Sequence, residues 1–167
     1  VVELAARAGF ALGCTVNNKS EFDRKNYFYP DLPKAYQITQ NRYPICTDGN
    51  IHVSGRNIRI NRIHIEEDAG KLIHDETDGI SMVDYNRAGV TLAEMVTDPC
   101  MHSKEEALKL LETYRSLIVY CGVSEARSDR GQMRCDVNIS LSKTDELGCK
   151  VEIKNKEIKK PQKINVY

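Results

Sequence analysis

Residues 58–68, with the sequence IRINRIHIEED, carry the pattern that decides the fold. Apolar and polar residues alternate along this stretch, which is typical of a β-strand with one face on a core. The alternation slips between Ile60 and Ile63, and the extra residue indicates a β-bulge near Asn61. After the slip, alternating residues face opposite sides: Ile63, Ile65 and Glu67 on one, and His64, Glu66 and Asp68 on the other. The segment therefore predicts a bulged strand that places one carboxylate among isoleucines.

The rest of the chain combines strand patterns with a few helical ones. A helix is predicted over 104–121, because Ser103 and Glu106 form a capping box and apolar residues recur at helical spacing. A strand at 132–141 and a partner around 149–153 are predicted to form a hairpin with one face on a core. The other predicted elements are a helix in residues 1–12, a rigid turn at 30–33, and strands at Tyr36–Thr39, 79–85 and 90–97. This order predicts an α+β fold, an antiparallel sheet with flanking helices.

Composition and missing motifs exclude several classes of function. The 167 residues include 24 basic and 24 acidic ones, so the formal net charge is zero and gives no independent support for nucleic-acid binding. No apolar run is long enough to span a membrane. Six cysteines without C-x-x-C spacing argue against a zinc knuckle. Because no signal peptide is visible, reduced thiols in a cytoplasm-like compartment are expected. The chain also has no Walker A loop, H-E-x-x-H motif or glycine-rich dinucleotide loop.

Two carboxylates occupy apolar positions of predicted strands. Glu67 is in phase with the isoleucines that precede it, and Glu94 is in phase with the aliphatic residues around it. A buried carboxylate costs several kcal/mol unless a partner compensates its charge. A shared Mg²⁺ ion would satisfy both groups, because carboxylate oxygens suit this ion. Alternatively, each carboxylate pairs with an arginine such as Arg62 or Arg87, or the strand ends before it.

Two further sets of candidate residues each allow two interpretations. Lys25 lies among aromatic residues and could hold a phosphate, or it could lie at the surface. Arg134, Asp136 and Asn138 form the polar face of the strand at 132–141, which could line a cleft or face water. His64 is expected to be a hydrogen-bonded neighbour on its strand rather than a metal ligand.

Four long blocks of the chain resemble the hallmark segments of the B subunit of the aspartyl/glutamyl-tRNA amidotransferases. They follow the order and approximate spacing of that family, and the resemblance covers nearly the whole chain to about residue 155. The blocks are FDRKNYFYPDLPKAYQITQ (22–40), RIHIEEDAGKLIHD (62–75), VDYNRAGVTLAEMVTDP (83–99), and RCDVNISL (134–141) followed by EIKN (152–155).

The resemblance implies a fold, a reaction and a set of partners. The family's cradle-shaped catalytic domain is built on an antiparallel sheet similar to those of glutamine synthetase and the guanidino kinases. It uses ATP and Mg²⁺ to phosphorylate the side-chain carboxylate of Glu-tRNA(Gln) or Asp-tRNA(Asn). The family's amidase (A) subunit, working with its small (C) subunit, supplies ammonia from glutamine, and the ammonia displaces the phosphate. By this resemblance, residues 1–155 are a partial cradle domain and 156–167 a divergent basic tail.

The same resemblance assigns roles to residues at matching positions. Glu67 and Glu94 are expected to hold Mg²⁺, and Lys25 to lie near the reacting phosphate, so these three form the predicted catalytic set. The further predicted contacts to the nucleotide are Arg87, Arg134, Asp136 and Asn138, together with Lys25.

The chain departs from the family pattern in ways that leave alternatives open. The family's E-x-H strand, which completes its metal site, has no match here, and neither do the helical and tail domains that hold tRNA. Thr91 replaces a usual proline, and Arg130 and Gln132 replace an acid and a small residue. We therefore expect this polypeptide to be inactive alone. The alternatives are a non-catalytic scaffold that keeps only the docking surface for the other subunits, and a different kinase of the same fold.

Overall fold

A computed structural model describes residues 1–75, 77–144 and 146–155. The chain divides into two compact units, Val1–His102 and a second that begins at Ser103. The predicted basic tail at 156–167 lies outside the described residues. The elements of the first unit are α1 (Val2–Ala11), β1 (Thr15–Val16), β2 (Asp23–Asn26), β3 (Tyr36–Thr39), β4 (Cys46–Val53), β5 (Arg56–Glu67), β6 (Lys71–Asp75), β7 (Ile80–Asp84) and β8 (Thr91–Thr97). Those of the second are α2 (Lys104–Tyr120), a 3₁₀ turn (Ser128–Arg130), β9 (Cys135–Ser140) and β10 (Lys150–Asn155).

A four-stranded antiparallel sheet in the order β1-β4-β5-β8 forms the centre of the first unit. Helix α1 contacts β1, β4 and β5. The buried side chains between them are almost all aliphatic, because β5 supplies isoleucines on alternate positions and α1 supplies small residues that allow close approach. The largest fully buried aliphatic side chains are Ile58, Ile60, Ile63 and Ile65.

The predicted bulge in β5 is confirmed. The register between β5 and β8 shifts between Ile60 and Arg62, so Asn61 is the extra residue. The shift returns Ile63 and Ile65 to the side occupied by Ile58 and Ile60, so all four isoleucines reach one core. Without the bulge, the second half of the strand would turn its polar residues toward that core.

Strand β4 was not predicted from the sequence. Its Asp48-Gly49-Asn50 run is typical of a turn, yet the strand continues through it with Asp48 in the left-handed region at φ 58°. Gly49 is required there, because an added Cβ would lie 2.2 Å from Sγ of Cys14 and 3.1 Å from the carbonyl oxygen of Leu12. The close passage of the chain after α1 therefore explains the turn-like composition.

Two hairpins accompany the sheet. Strands β2 and β3 pair antiparallel, which confirms the predicted strand at Tyr36–Thr39, and β6 pairs with β7. Strand β6 was not predicted; β7 and β8 confirm the strands expected at 79–85 and 90–97. The described strands pair antiparallel and helices α1 and α2 accompany them, as the α+β pattern predicted. No helix in the described residues combines the length and apolarity needed to cross a bilayer.

The second unit contains α2 and the β9–β10 hairpin. The predicted helix is confirmed, with Ser103 as its N-cap, and the hairpin pairs Lys150 with Ser140 through Asn155 with Cys135. The core expected beneath the hairpin is not found there, since Val151 and Ile153 are 58% and 44% exposed within the described residues. The alternation of a strand predicts which residues share a face, but it does not supply a layer to cover that face.

The N-cap of α2 provides a test of local stability. Ser103 Oγ accepts a hydrogen bond from the amide of Glu106 at 3.1 Å. Replacing Ser103→Ala leaves that amide without its acceptor, and we expect a loss of about 1 kcal/mol of helix stability. Faster hydrogen exchange in the first turn of α2 would report it. The control is Ser116→Ala on an exposed position of the same helix, which should stabilise α2 slightly because alanine has the higher helix propensity. Equal effects of the two changes would contradict the capping role.

Candidate functional site

A group of two carboxylates and a histidine lies on one face of the β5–β8 pair. In the register, His64 is opposite Glu94 and Glu66 is opposite Leu92, so these side chains share a face. Nε2 of His64 lies 3.4 Å from Oε2 of Glu94 and 3.7 Å from Oε2 of Glu66. One ligand atom from each of the three residues lies within 4.8 Å of the other two. We call His64, Glu66 and Glu94 the carboxylate–histidine cluster.

Interactions within the cluster change the pKa values of His64 and Glu94. Burial lowers the pKa of His64, but the nearby carboxylates of Glu66 and Glu94 stabilise the charged imidazole and together more than offset this, so its pKa is raised overall. The hydrogen bond from His64 is the main cause that lowers the pKa of Glu94, and burial opposes it. Nδ1 of His64 is buried and has no hydrogen-bond partner among the described residues. The cluster is therefore a negatively charged site built around a buried imidazole.

The β2–β3 hairpin adds a cation and a phenol to this face. The positive charges of Arg62 and Lys25 contribute to the lowered pKa of Glu94. The pKa of Tyr27 is raised by burial and by the charges of Asp31, Glu66 and Asp68. Lys25 and Tyr27 are two residues apart, so they point to the same side of the hairpin, toward the cluster. The positive charge of Lys25 therefore acts on Glu94, and the predicted contact of Lys25 with a phosphate stays a prediction.

Side chains of the hairpin attach it to the open edge of β5. Strand β4 pairs with β5 only as far as Ile63. Beyond that point, Oε1 of Gln40 accepts from the amide of Ile65 at 2.9 Å, and Nε2 of Gln37 donates to the carbonyl of Glu67 at 2.7 Å. These glutamines take the place of a neighbouring strand, because an unpaired buried amide or carbonyl would be costly. They fix the position of Lys25 relative to β8.

Glu67 does not share a site with Glu94, which corrects the expectation of one Mg²⁺ ion between these two. Glu67 lies opposite Thr91 and on the isoleucine side of β5, whereas Glu94 lies opposite His64 on the other side. The carboxylate of Glu67 accepts from Lys34, 33 positions earlier in the chain, rather than from Arg62 or Arg87. Both acids are in phase with aliphatic neighbours, but the pairing register sends them to opposite faces. Glu66 occupies the place expected for Glu67.

Arg87 stabilises a turn. Its Nε donates to the carbonyl of Ala69 at 2.9 Å and its Nη2 to the carbonyl of Gly70 at 3.1 Å, while Asp68 Oδ2 lies 3.8 Å from Nε. These contacts hold the chain where it leaves β5. The guanidinium of Arg87 donates its hydrogen bonds to backbone carbonyl oxygens, and a contact of Arg87 with a nucleotide stays a prediction.

The remaining predicted nucleotide contacts belong to the second unit. Arg134 precedes β9, and Asp136 and Asn138 lie within it; within that unit all three are exposed along one face, as the alternation predicted. Their role in binding a nucleotide likewise stays a prediction.

The histidine and the phenol were missed as site residues by sequence reasoning. His64 was expected to be only a hydrogen-bonded neighbour, and Tyr27 was not singled out. The period-two pattern already placed His64 with Glu66. The pairing of β5 with β8, which adds Glu94 to them, could not be read from either strand alone.

The cluster makes a pH dependence testable in metal-free protein. His64 has its pKa raised above 6.5, so its stabilising contribution is complete below 6.5 and is lost as pH rises through the raised value. Glu94 has its pKa lowered below 4.5, so its contribution is complete above 4.5 and is lost as pH falls through the lowered value. The pair should therefore stabilise the fold most between pH 4.5 and 6.5.

Chemical-shift titration of the imidazole protons, with a chelator present, measures the shift directly. We expect His64 to titrate above its ordinary value and Glu94→Gln to lower its pKa, because one of the two acceptors loses its charge. A His64 pKa that is unchanged in Glu94→Gln would show that the two side chains do not interact.

Comparison with known proteins places the chain near one family. Residues 1–165 match the family model described as the GatB/GatE catalytic domain. The chain is 52% identical over 161 residues to the second aspartyl/glutamyl-tRNA(Asn/Gln) amidotransferase B subunit of Clostridium acetobutylicum, covering 93% of this chain and 34% of that protein. It is 54% identical over 161 residues to the corresponding B subunit of a Thermoanaerobacter species, again covering 93% and 34%. The B subunit of Ruminiclostridium cellulolyticum is 52% identical over 160 residues, covering 92% and 33%. The chain thus spans about a third of the length of these curated relatives.

Proposed function

The chain belongs to the GatB/GatE catalytic-domain family, and on that premise we propose that it supplies the ATP- and Mg²⁺-dependent activation site of a tRNA-dependent amidotransferase. The reaction is phosphorylation of the side-chain carboxylate of Glu-tRNA(Gln) or Asp-tRNA(Asn). Ammonia from the amidase (A) subunit, assembled with the small (C) subunit, then displaces the phosphate. The relatives' names support the reaction class, since each belongs to an aspartyl/glutamyl-tRNA(Asn/Gln) amidotransferase.

The observation that carries this proposal is the carboxylate–histidine cluster beside Lys25. Two carboxylates and an imidazole within 4.8 Å of one another form a donor set that fits a divalent ion such as Mg²⁺ or Mn²⁺. The negative charge of Glu66 and Glu94 is compensated only in part, by one imidazole and by charges farther away. The unpartnered Nδ1 of His64 further supports a polar ligand at this site.

The residues of the chain suit phosphoryl transfer, which depends on positioning and on neutralising charge. A bound Mg²⁺ ion would supply charge neutralisation for the transferred phosphoryl group. Glu66, Glu94 and His64 would hold that ion, and Lys25 would contact the phosphate from the hairpin. An acyl phosphate formed there would have to be protected from water until ammonia arrives.

Nucleotide binding in this proposal extends beyond the cluster. Arg134, Asp136 and Asn138 on β9 remain the proposed contacts to the nucleotide, with Lys25. Glu67 has no part in holding the ion, because it faces the opposite side of β5 and pairs with Lys34.

Measuring metal affinity tests whether Glu66 or Glu67 holds the ion together with Glu94, and it does not require enzymatic turnover. Mn²⁺ titration followed by electron paramagnetic resonance should show one site in the unchanged protein. Glu66→Gln and Glu94→Gln each remove a charged ligand, and we expect affinity to fall by at least about 10-fold. Glu67→Gln should leave affinity within about threefold, since losses of about 10-fold or more are typical of groups at or next to the metal. Loss of binding in Glu67→Gln and Glu94→Gln, with Glu66→Gln unaffected, would favour the pair Glu67 and Glu94 predicted from the sequence and reject this assignment.

Activity in the assembled enzyme tests the reaction. The chain is combined with the amidase and small subunits, and ATP-dependent conversion of Glu-tRNA(Gln) to Gln-tRNA(Gln) is measured with glutamine as donor. If the complex is active, Glu94→Gln should reduce conversion by about 100-fold or more, because charge stabilisation of the transferred group is lost. Exposed Glu112→Gln on α2 is the matched control and should not change the rate. Conversion that survives in Glu66→Gln and Glu94→Gln would reject the proposed site.

A further inference from the structure

Arg62 lies on the same face of β5 as the carboxylate–histidine cluster. After the bulge, Arg62, His64 and Glu66 occupy alternate positions of the strand, and His64 is opposite Glu94. The guanidinium donates one hydrogen bond, from Nη1 to the carbonyl oxygen of Asn41 at 3.2 Å. In the part of the chain that the structure describes, no carboxylate forms an ion pair with it. Arg62 is therefore a cation on the cluster face whose charge is not matched by a bonded acid.

The charge of Arg62 acts on the cluster. The pKa of Glu94 is lowered mainly by the hydrogen bond with His64, and then by the charges of His64, Arg62 and Lys25 in that order. The effect of Arg62 on Glu94 thus exceeds that of Lys25, which the proposed function places at the phosphate. Two cations act on this face, one from β5 and one from the β2–β3 hairpin.

Two nitrogen donors remain without an acceptor where residues 40 and 41 run beside β5. Nε of Arg62 is buried and has no hydrogen-bond partner among the described residues. The same is true of Nε2 of Gln40, whose orientation is fixed because its Oε1 accepts from the amide of Ile65 at 2.9 Å. Neither nitrogen can act as an acceptor, and a buried donor without a partner is costly, most of all on a charged group. This side of the cluster therefore has donors in excess.

An oxyanion is the ligand that suits such a group. A guanidinium presents several N–H donors in one plane, a geometry that matches the paired oxygens of a carboxylate or a phosphate. Phosphoryl transfer also spreads negative charge over several oxygens, which more than one positive group can stabilise.

We propose that Arg62 binds an oxyanion at the cluster, as a second cation beside Lys25. The reaction offers two sources of that oxyanion, the phosphoryl group of the nucleotide and the side-chain carboxylate of the amino acid. The same hydrogen-bonding chemistry recognises both. This inference rests on the proposed function, which supplies the two candidate ligands.

The Nε–H signal of Arg62 in a ¹H–¹⁵N spectrum of the whole chain tests the proposal directly. Inorganic phosphate is titrated in the presence of Mg²⁺, and the signal is identified by its loss in Arg62→Lys. We expect it to move to lower field and to saturate, because the unpaired Nε–H or its neighbouring N–H groups gain an acceptor. Arg59 on the same strand is the internal control, since its Nε already donates to Asp98 at 2.9 Å and should not move.

Glutarate, a dicarboxylate, replaces phosphate in a second titration and distinguishes the two sources. A saturating shift with phosphate alone supports the phosphoryl group as the ligand, and a shift with glutarate alone supports the carboxylate. No shift with either anion overturns the proposal. An equal shift with sodium chloride at the same ionic strength, or an equal shift of Arg59, also overturns it, because screening rather than binding would then be the cause.

Arg62→Gln separates a contact with the oxyanion from a structural role. This change removes a cation and not a metal ligand, so Mn²⁺ affinity should stay within about threefold of the unchanged protein. In the assembled enzyme, conversion should fall by about 100-fold or more, and Arg62→Lys should recover part of it because the charge remains. Arg59→Gln should change neither quantity. If Arg62→Gln weakens Mn²⁺ binding as much as Glu94→Gln does, Arg62 only maintains the cluster and the proposal is overturned.

The two proposals fail separately. If the assembled enzyme shows no ATP-dependent conversion but the saturating shift of Arg62 persists, the proposed reaction fails and the oxyanion site stands. Active conversion that Arg62→Gln leaves unchanged overturns the oxyanion site alone.

Discussion

The pairing register of β5 and β8 is the constraint on which the site depends. It sets His64 opposite Glu94 and leaves Glu66 two positions away on the same face. A slip of one residue would turn every side chain of one strand to the other face and would bring Glu67 toward Glu94 instead. The bulge at Asn61 fixes this register, because the four isoleucines of β5 reach one core only when the extra residue is present. Hydrophobic burial therefore determines which carboxylates meet, although none of the isoleucines belongs to the site.

Residues outside the cluster determine which charges reach it. Glu67 is neutralised by Lys34, so its charge is not added to those of Glu66 and Glu94 on the other face of the strand. Gln37 and Gln40 satisfy the backbone of β5 beyond the end of β4, and the same contacts position the hairpin that carries Lys25. A cation is thus supplied to Glu94 without leaving these backbone groups unpaired. Arg87 contributes in the same indirect way, by bonding the carbonyls of the turn that follows β5.

The sequence predicts local elements well and long-range placement poorly. The bulge, the capped helix and the alternation of β9 can be predicted because each depends only on residues a few positions apart in the sequence. Strand β4 could not be predicted because its Asp-Gly-Asn run is typical of a turn. The glycine is needed there because Cys14 and Leu12 lie close to Gly49. The apolar face of β10 predicts a core, but the layer that would cover it is not encoded in the strand itself.

In the candidate site, too, single residues were predicted better than the way they are brought together. Glu94 was singled out from the sequence and lies in the cluster, and the charge of Lys25 acts on it. Glu67 was grouped with Glu94 because both are in phase with aliphatic residues. Phase within a strand gives a face relative to that strand alone; the face of the sheet depends on the partner. His64 was set aside as a lone histidine, although its burial and its two carboxylate neighbours follow once the register is known.

The two faces of the β2–β3 hairpin carry different groups. Its inner face presents Lys25 and Tyr27 to the carboxylates, and its outer face presents Arg24 against Tyr36. In the described pairings β2 and β3 bond only to each other, so side chains rather than a strand ladder attach the hairpin to β5. The position of Lys25 relative to Glu94 therefore depends on these few side-chain contacts rather than on the backbone ladder that fixes β5 against β8.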